Sequence, residues 1–102
     1  LDPGGRNGLL SRVLRAFDGS MQRLLQPFNE ARSSHNPAGI HHVAHTLKSS
    51  SASIGALELS RICADIERKI RQQEVLGLDG LVDEMEAESH RIMKALKPVL
   101  DP

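Results

Sequence analysis

Apolar residues recur along this chain at three- and four-residue intervals, the period of a helix with one buried face. The first such run is Leu10, Val13, Leu14, Phe17, Met21, Leu24, Leu25, Phe28 and Ala31. It passes through Asp18-Gly19-Ser20 without losing phase. A turn there would reset the phase, so the pattern predicts one helix from about Asn7 to Ser33 rather than two broken near Gly19. Pro27 removes a backbone donor inside it and should bend it. Ser33-Ser34-His35-Asn36 reads as a turn, and Asn36-Pro37 as the start of a second helix, with Asn capping and Pro in the first helical position.

In the second helix Ile40, Val43, Ala44, Leu47, Ser51 and Ile54 share one side. Gly55 is suited to the left-handed residue that ends it. A third helix starts near Ala56, with Leu59, Ile62, Cys63, Ile66 and Ile70 as its buried stripe and Leu57 at its entry. Its other side, with Glu58, Arg61, Arg68, Lys69 and Arg71, is charged, as a solvated face would be. The stripe fades by Gln73, and Leu76-Gly77-Leu78 reads as connector. Asp79 is the expected cap of a fourth helix carrying Leu81, Val82, Met85, Ile92, Met93, Leu96 and Val99, with Pro98 limiting its end. Glu86 to Arg91 is polar on nearly every side, which predicts weak packing in mid-helix. Strand-like alternation, repeats and low-complexity tracts are not seen. The expectation is an all-α, antiparallel up-down four-helix bundle over residues 7–100, preceded by a flexible Gly/Pro-rich lead-in at 1–6.

Composition narrows the function. The chain has 102 residues and two aromatics, Phe17 and Phe28, so the core must be aliphatic, which favours packed helices. Thirteen basic and thirteen acidic residues balance, and no basic block speaks for nucleic acid. No apolar run approaches the roughly 20 residues of a membrane span, and no signal-peptide core is seen. The single cysteine excludes an internal disulfide and fits a reducing compartment. The opening Leu1-Asp2-Pro3-Gly4-Gly5, without methionine, suggests a module cut from a longer polypeptide or a cloning scar.

Candidate chemistry gathers on the second helix. His45 points away from the apolar stripe, at about 150° from its centre on an ideal wheel. His41 lies one turn before it on the same face, Ser49 one turn after and Ala52 two turns after. Lys48 flanks it at i+3. The helix thus offers an imidazole beside a cation with only small side chains below, open to something as large as another domain. Neutral imidazole is a competent nitrogen nucleophile near neutral pH. If the second and third helices pack antiparallel about Gly55, Glu67, twelve residues beyond it, faces His45, ten residues before it. A carboxylate there could accept a ring N–H, fix the tautomer and steady positive charge on the ring. The plainer reading pairs Glu67 with Arg71 or Lys48. Ser50 and Ser51 read as helix-packing residues, and Cys63 as buried core. His41, His42 and His45 also have the i, i+4 spacing of zinc-binding helices. The metalloprotease pattern requires Glu where His42 stands, and no further ligand cluster accompanies them, so no metal site is expected.

The run AHTLKSSSASIGA, Ala44 to Ala56, resembles the signature of histidine-containing phosphotransfer (HPt) domains: His, a Lys three residues on, a small-residue run and a Gly. Cys63 and Glu67 stand at the family's usual Cys and Glu/Gln positions. The family's Gly directly after the Lys is Ser49 here, a departure at the docking face. The resemblance implies a four-helix bundle with the active histidine on its outer face. It implies that His45 accepts a phosphoryl group from a receiver-domain aspartate and passes it to another receiver. Lys48 would meet the phosphate charge, Glu67 would orient Nδ1, and His41, Ser49 and Ala52 would form the receiver-docking surface. With no Gly-rich nucleotide loop and no acidic cluster for magnesium, the chain is expected to be a phosphocarrier rather than a kinase. The receiver domain, of a response regulator or hybrid sensor kinase, would bring magnesium. No intrinsic cofactor, nucleic acid or membrane contact is expected. The expected location is the cytoplasm, alone or at the cytoplasmic end of a membrane-bound sensor kinase. A non-catalytic helical adaptor or dimerisation bundle is the alternative, and a histidine-rich metal carrier a remote third.

Overall fold

A computed structural model describes residues 6–101. Helix α1 spans Arg6–Ser33, α2 Pro37–Ser53, α3 Leu57–Arg71 and α4 Leu78–Leu100. Joined by short turns, they form an up-down bundle in which α2 packs on α1 and α3, and α4 on α3 and α1. The α1–α4 contact is the least extensive of the neighbouring pairs, and diagonal helices meet only through side chains in the core. Residues 1–5 of the expected lead-in lie outside the described residues, and Arg6 already belongs to α1. The unbroken phase through Gly19 is one helix of 28 residues, with Pro27 on its exposed side.

The core is the sequence's apolar stripes brought together: Phe17, Met21, Phe28 and Ala31 of α1, Ile40, Val43, Ala44 and Leu47 of α2, Leu59, Ile62, Cys63 and Ile66 of α3, and Val82 and Met85 of α4. The α1 stripe is buried only from Phe17 onward, with Leu25 an exposed exception, whereas Leu10 and Val13 are exposed. Helices α2 and α3 are too short to cover them: α1 runs 28 residues, α2 and α3 only 17 and 15. Gly39 lets α1 and α2 close up, since a Cβ there would fall 2.7 Å from that of Ala31.

Three helices end alike. At α2, Ala56 N–H donates to Ser51 O (2.9 Å) and Gly55 N–H to Ala52 O (3.1 Å), with Gly55 at φ 77°. This is the Schellman arrangement the glycine promised. His35 (φ 52°) ends α1 and Gln73 (φ 56°) ends α3 with the same pair of hydrogen bonds, although neither is glycine.

Four expectations are corrected. Asp79 is not the cap of α4 but lies in its first turn; Gly77, at φ 80°, holds the cap position, and Leu81 N–H donates to its carbonyl at 3.2 Å. Asn36 does hold the cap position of α2, yet its side chain makes no capping hydrogen bond. Leu57 is exposed, because α3 begins on its solvent side. Pro98 does not stop α4, which continues to Leu100. There Leu100 is buried, Val99 is exposed, and Arg15 Nη2 donates to Leu100 O at 2.8 Å, so docking on α1 holds the last turn despite the missing proline N–H.

The polar middle of α4 borders a pocket of about 30 Å³ between α1, α2 and α4, lined in part by Met21, Phe28, Leu47, Ser89 and Met93. The Ser89 hydroxyl is buried with no partner among the described residues. Packing is looser there, as the residue pattern predicts. Arg32 bridges α1 to α4 instead, pairing with Asp83 and with Glu86 (3.0 Å).

Candidate functional site

The α2–α3 interface contains one buried carboxylate. Glu67 is only 3% exposed, carried inward by a helix whose next residues on that face are Cys63 and Ile66. Burying a charge is costly unless it is paired. Here the partners come mostly from α2: His45 Nδ1 lies 3.1 Å from Oε2, and Lys48 Nζ lies 2.8 Å from Oε1. The lysine contact is a close ion pair, without the alignment of a hydrogen bond to Oε1. Farther out, His41 Nε2 and Arg71 Nη1 each stand 3.8 Å from Oε2. The functional contact and the plainer contacts anticipated for Glu67 therefore coexist on one side chain.

This grouping follows from helix geometry. His41, His45 and Lys48 are spaced to share one face of α2, and the Gly55 turn folds α3 back so that Glu67 meets that face. Ser60 Oγ donates to Lys48 O at 3.2 Å and pins the two helices at the level of the site. The sequence reading overlooked Ser60. Its place five residues beyond Gly55, with Lys48 seven before, is the signal that could have found it.

His45 remains open, with its side chain 63% exposed, although Nδ1 is engaged. Nδ1 and Nε2 lie on opposite edges of the ring, so an acceptor at Nδ1 leaves Nε2 directed outward. Below it, Ser49 and Ala52 are both exposed and small, while Ser51 is buried against α3. The His41 and His45 rings are nearly parallel, 6° apart in plane, with centroids 6.4 Å apart. His42 is exposed, away from the core. Among the described residues no group of three or more His, Cys, Asp or Glu could hold a metal ion.

Burial pushes the Glu67 carboxyl up, the largest single influence, but Lys48 and His45 together outweigh it and hold it below the usual carboxylate range. It is thus a carboxylate, an acceptor only, at neutral pH. Opposite Nδ1 it favours the tautomer with the proton on Nδ1 and the lone pair on Nε2. Cys63, one turn back and fully buried, has its thiol pushed up to about 12 by burial and by the charge of Glu67. It is a core residue without thiolate chemistry.

A helical bundle that braces the inner nitrogen of an exposed imidazole with a buried carboxylate belongs, as a class, with carriers of a group on histidine. The sequence agrees: residues 12–96 match the family described as Hpt domain, and the chain belongs to that family. Hpt domains are phosphocarrier modules of two-component phosphorelay signalling, without kinase activity of their own. No curated protein and no solved structure matches the chain. No helix among the described residues is long and apolar enough to cross a membrane.

Proposed function

We propose that His45 accepts a phosphoryl group from the aspartate of one receiver domain and delivers it to the aspartate of another. The observation that carries this reading is the division of the imidazole: Nδ1 held 3.1 Å from a buried carboxylate, and the ring otherwise 63% exposed. In the step itself, the Nε2 lone pair attacks phosphorus as the P–O bond to the receiver aspartate breaks and the aspartate leaves with the bonding pair. Nδ1 keeps its proton, so the ring gains positive charge, which Glu67 meets at hydrogen-bond distance. Delivery reverses these events.

Lys48 in the resting protein is engaged with Glu67, one turn from His45. Phosphorylation brings close to two negative charges to the neighbouring ring, and the partly exposed ammonium can turn outward to meet them. His41, Ser49 and Ala52 form the docking surface. Ser49, in place of the family's glycine, adds a hydroxymethyl group to it but remains small. The receiver supplies the magnesium ion and lies in the cytoplasm, where this domain stands alone or ends a hybrid sensor kinase.

Incubation with a phosphorylated receiver domain tests the reading. The expected product is an acid-labile, base-stable phosphate on the chain, absent from His45→Gln. A chain that stays unlabelled with several receivers while remaining folded would instead favour a helical adaptor whose His45 is incidental.

A further inference from the structure

One buried polar atom at the site is unexplained by the transfer step. His41 Nε2 is shielded from solvent and has no hydrogen-bond partner among the described residues. Such atoms are uncommon and call for a reason. It faces Glu67 Oε2 at 3.8 Å, and that oxygen is the one His45 Nδ1 uses at 3.1 Å. A side-chain adjustment of less than 1 Å would bring His41 into hydrogen-bond range (about 2.7–3.2 Å) of the same atom. We propose that His41 is a positioning residue that competes with His45 for Oε2 of Glu67, and so couples the phosphoryl-carrying capacity of His45 to pH. This rests on His45 being the phosphoryl acceptor.

An imidazolium at His41 donates a charge-assisted hydrogen bond, stronger than a neutral one, and so draws Oε2 away from Nδ1–H of His45. The ring then lacks its acceptor when Nε2 takes the phosphoryl group and the ring becomes positive. This disfavours phospho-His45 relative to the phosphoreceiver as pH falls through the range, about 5 to 8, in which histidines acquire charge. The His41 charge also repels the positive ring, 6.4 Å away centroid to centroid, and attracts the negative phosphoryl group; these oppose each other, so the contest for Oε2 sets the sign.

The charged groups around His41 are few. From α2 there are His45 and Lys48, and from α3 Glu67 and Arg71, both cations being occupied with Glu67. On the adjoining part of α1, Glu30 accepts from Gln26 and Arg32 reaches across to Asp83 and Glu86. Helix α4 meets α2 across the core, where Asp79 lines a pocket with Ile40 and Glu86 one with Val43 and Leu47. Among the described residues Glu67 is the acid that pairs with His41, at 3.8 Å.

Two measurements test this. In the resting protein, NMR of the His45 side chain reads the Nδ1–H that donates to Glu67. Its solvent exchange is expected to quicken as pH falls from about 8 to about 6, and to stay slow in His41→Phe, which keeps a flat ring but cannot donate. Second, the equilibrium ratio of phospho-His45 to phosphoreceiver is measured over the same range. Relative to His41→Phe, the unmodified chain is expected to lose about fivefold, the factor that one hydrogen bond of about 1 kcal/mol sets. Because this ratio compares free species, it does not depend on how a variant docks. His41→Gln, a neutral donor, should weaken the His45 hydrogen bond equally at both pH values. Parallel pH profiles for the unmodified chain and His41→Phe would overturn the proposal, as would a phospho-His45 fraction that rises with acidity. If no variant is phosphorylated at all, the transfer reading fails, while the NMR comparison still decides whether the two rings compete.

Discussion

Glu67 is the residue on which the site turns, and its position fixes what its replacement should do. Glu67→Gln keeps the shape but offers His45 and Lys48 a neutral partner. It is expected to slow phosphorylation of His45 by tenfold or more and to lower unfolding stability by about 1–3 kcal/mol, read by denaturant titration. The pH dependence has a definite sign. The folded carboxyl lies below its ordinary 4.5, so the stabilisation is fully present above that value and is lost as pH falls through the lower folded value. The stability gap between the unmodified chain and Glu67→Gln should therefore close in acid. Lys48→Met should also narrow it, because Lys48 is the largest of the influences holding Glu67 down. Cys63 should resist alkylation until the protein unfolds, as its burial and raised thiol require.

At the scale of the element, the chain ends are the informative places. Gly55 and the residues at the ends of α1 and α3 perform the same left-handed turn, but His35 and Gln73 do so with a Cβ. A left-handed residue other than glycine is strained by roughly 1 kcal/mol. His35→Gly and Gln73→Gly are therefore expected each to raise the melting temperature, and Gly55→Ala to lower it by a comparable free energy, checked by thermal unfolding. Gly39→Ala should be worse, at about 1–3 kcal/mol, because its methyl would collide with Ala31 where α1 and α2 close up. Helix existence and phase were legible in the sequence at these places, down to the continuity of α1 through Gly19. The ends were less so. Asp79 looked like a cap because its residue type can cap, yet the connector already terminates on Gly77 in the left-handed conformation, leaving Asp79 inside the first turn. Pro98 looked like a stop because it forfeits a donor, but Leu100 and the Arg15 hydrogen bond carry the helix past it.

Across the whole molecule, stability is uneven. The α2–α3 pair is the most extensively packed and holds the site, while α1 and α4 meet least and enclose the pocket beside Ser89. Ser89→Ala removes a buried hydroxyl without a partner and should stabilise by about 1 kcal/mol. Native-state hydrogen exchange should find α4 between Glu86 and Arg91 opening ahead of α2 and α3. The rigid pair is the one that must hold two side chains at hydrogen-bond distance, so packing is densest where the chemistry needs fixed geometry.

Sequence alone determined the helices, their buried faces and the display of His45, because a helical period converts residue spacing directly into direction. It also singled out Glu67, mainly through the family's Glu/Gln position and in support through the symmetry of a hairpin about Gly55. What only tertiary structure decided was sharing: that His45, Lys48, His41 and Arg71 converge on one carboxylate, with His41 and His45 facing the same oxygen. Spacing along one helix gives the face on which a residue stands. Which atom of a neighbouring helix it reaches depends on interhelical distance and rotation, set by the summed packing of the entire core, including contacts as remote as Gly39 against Ala31.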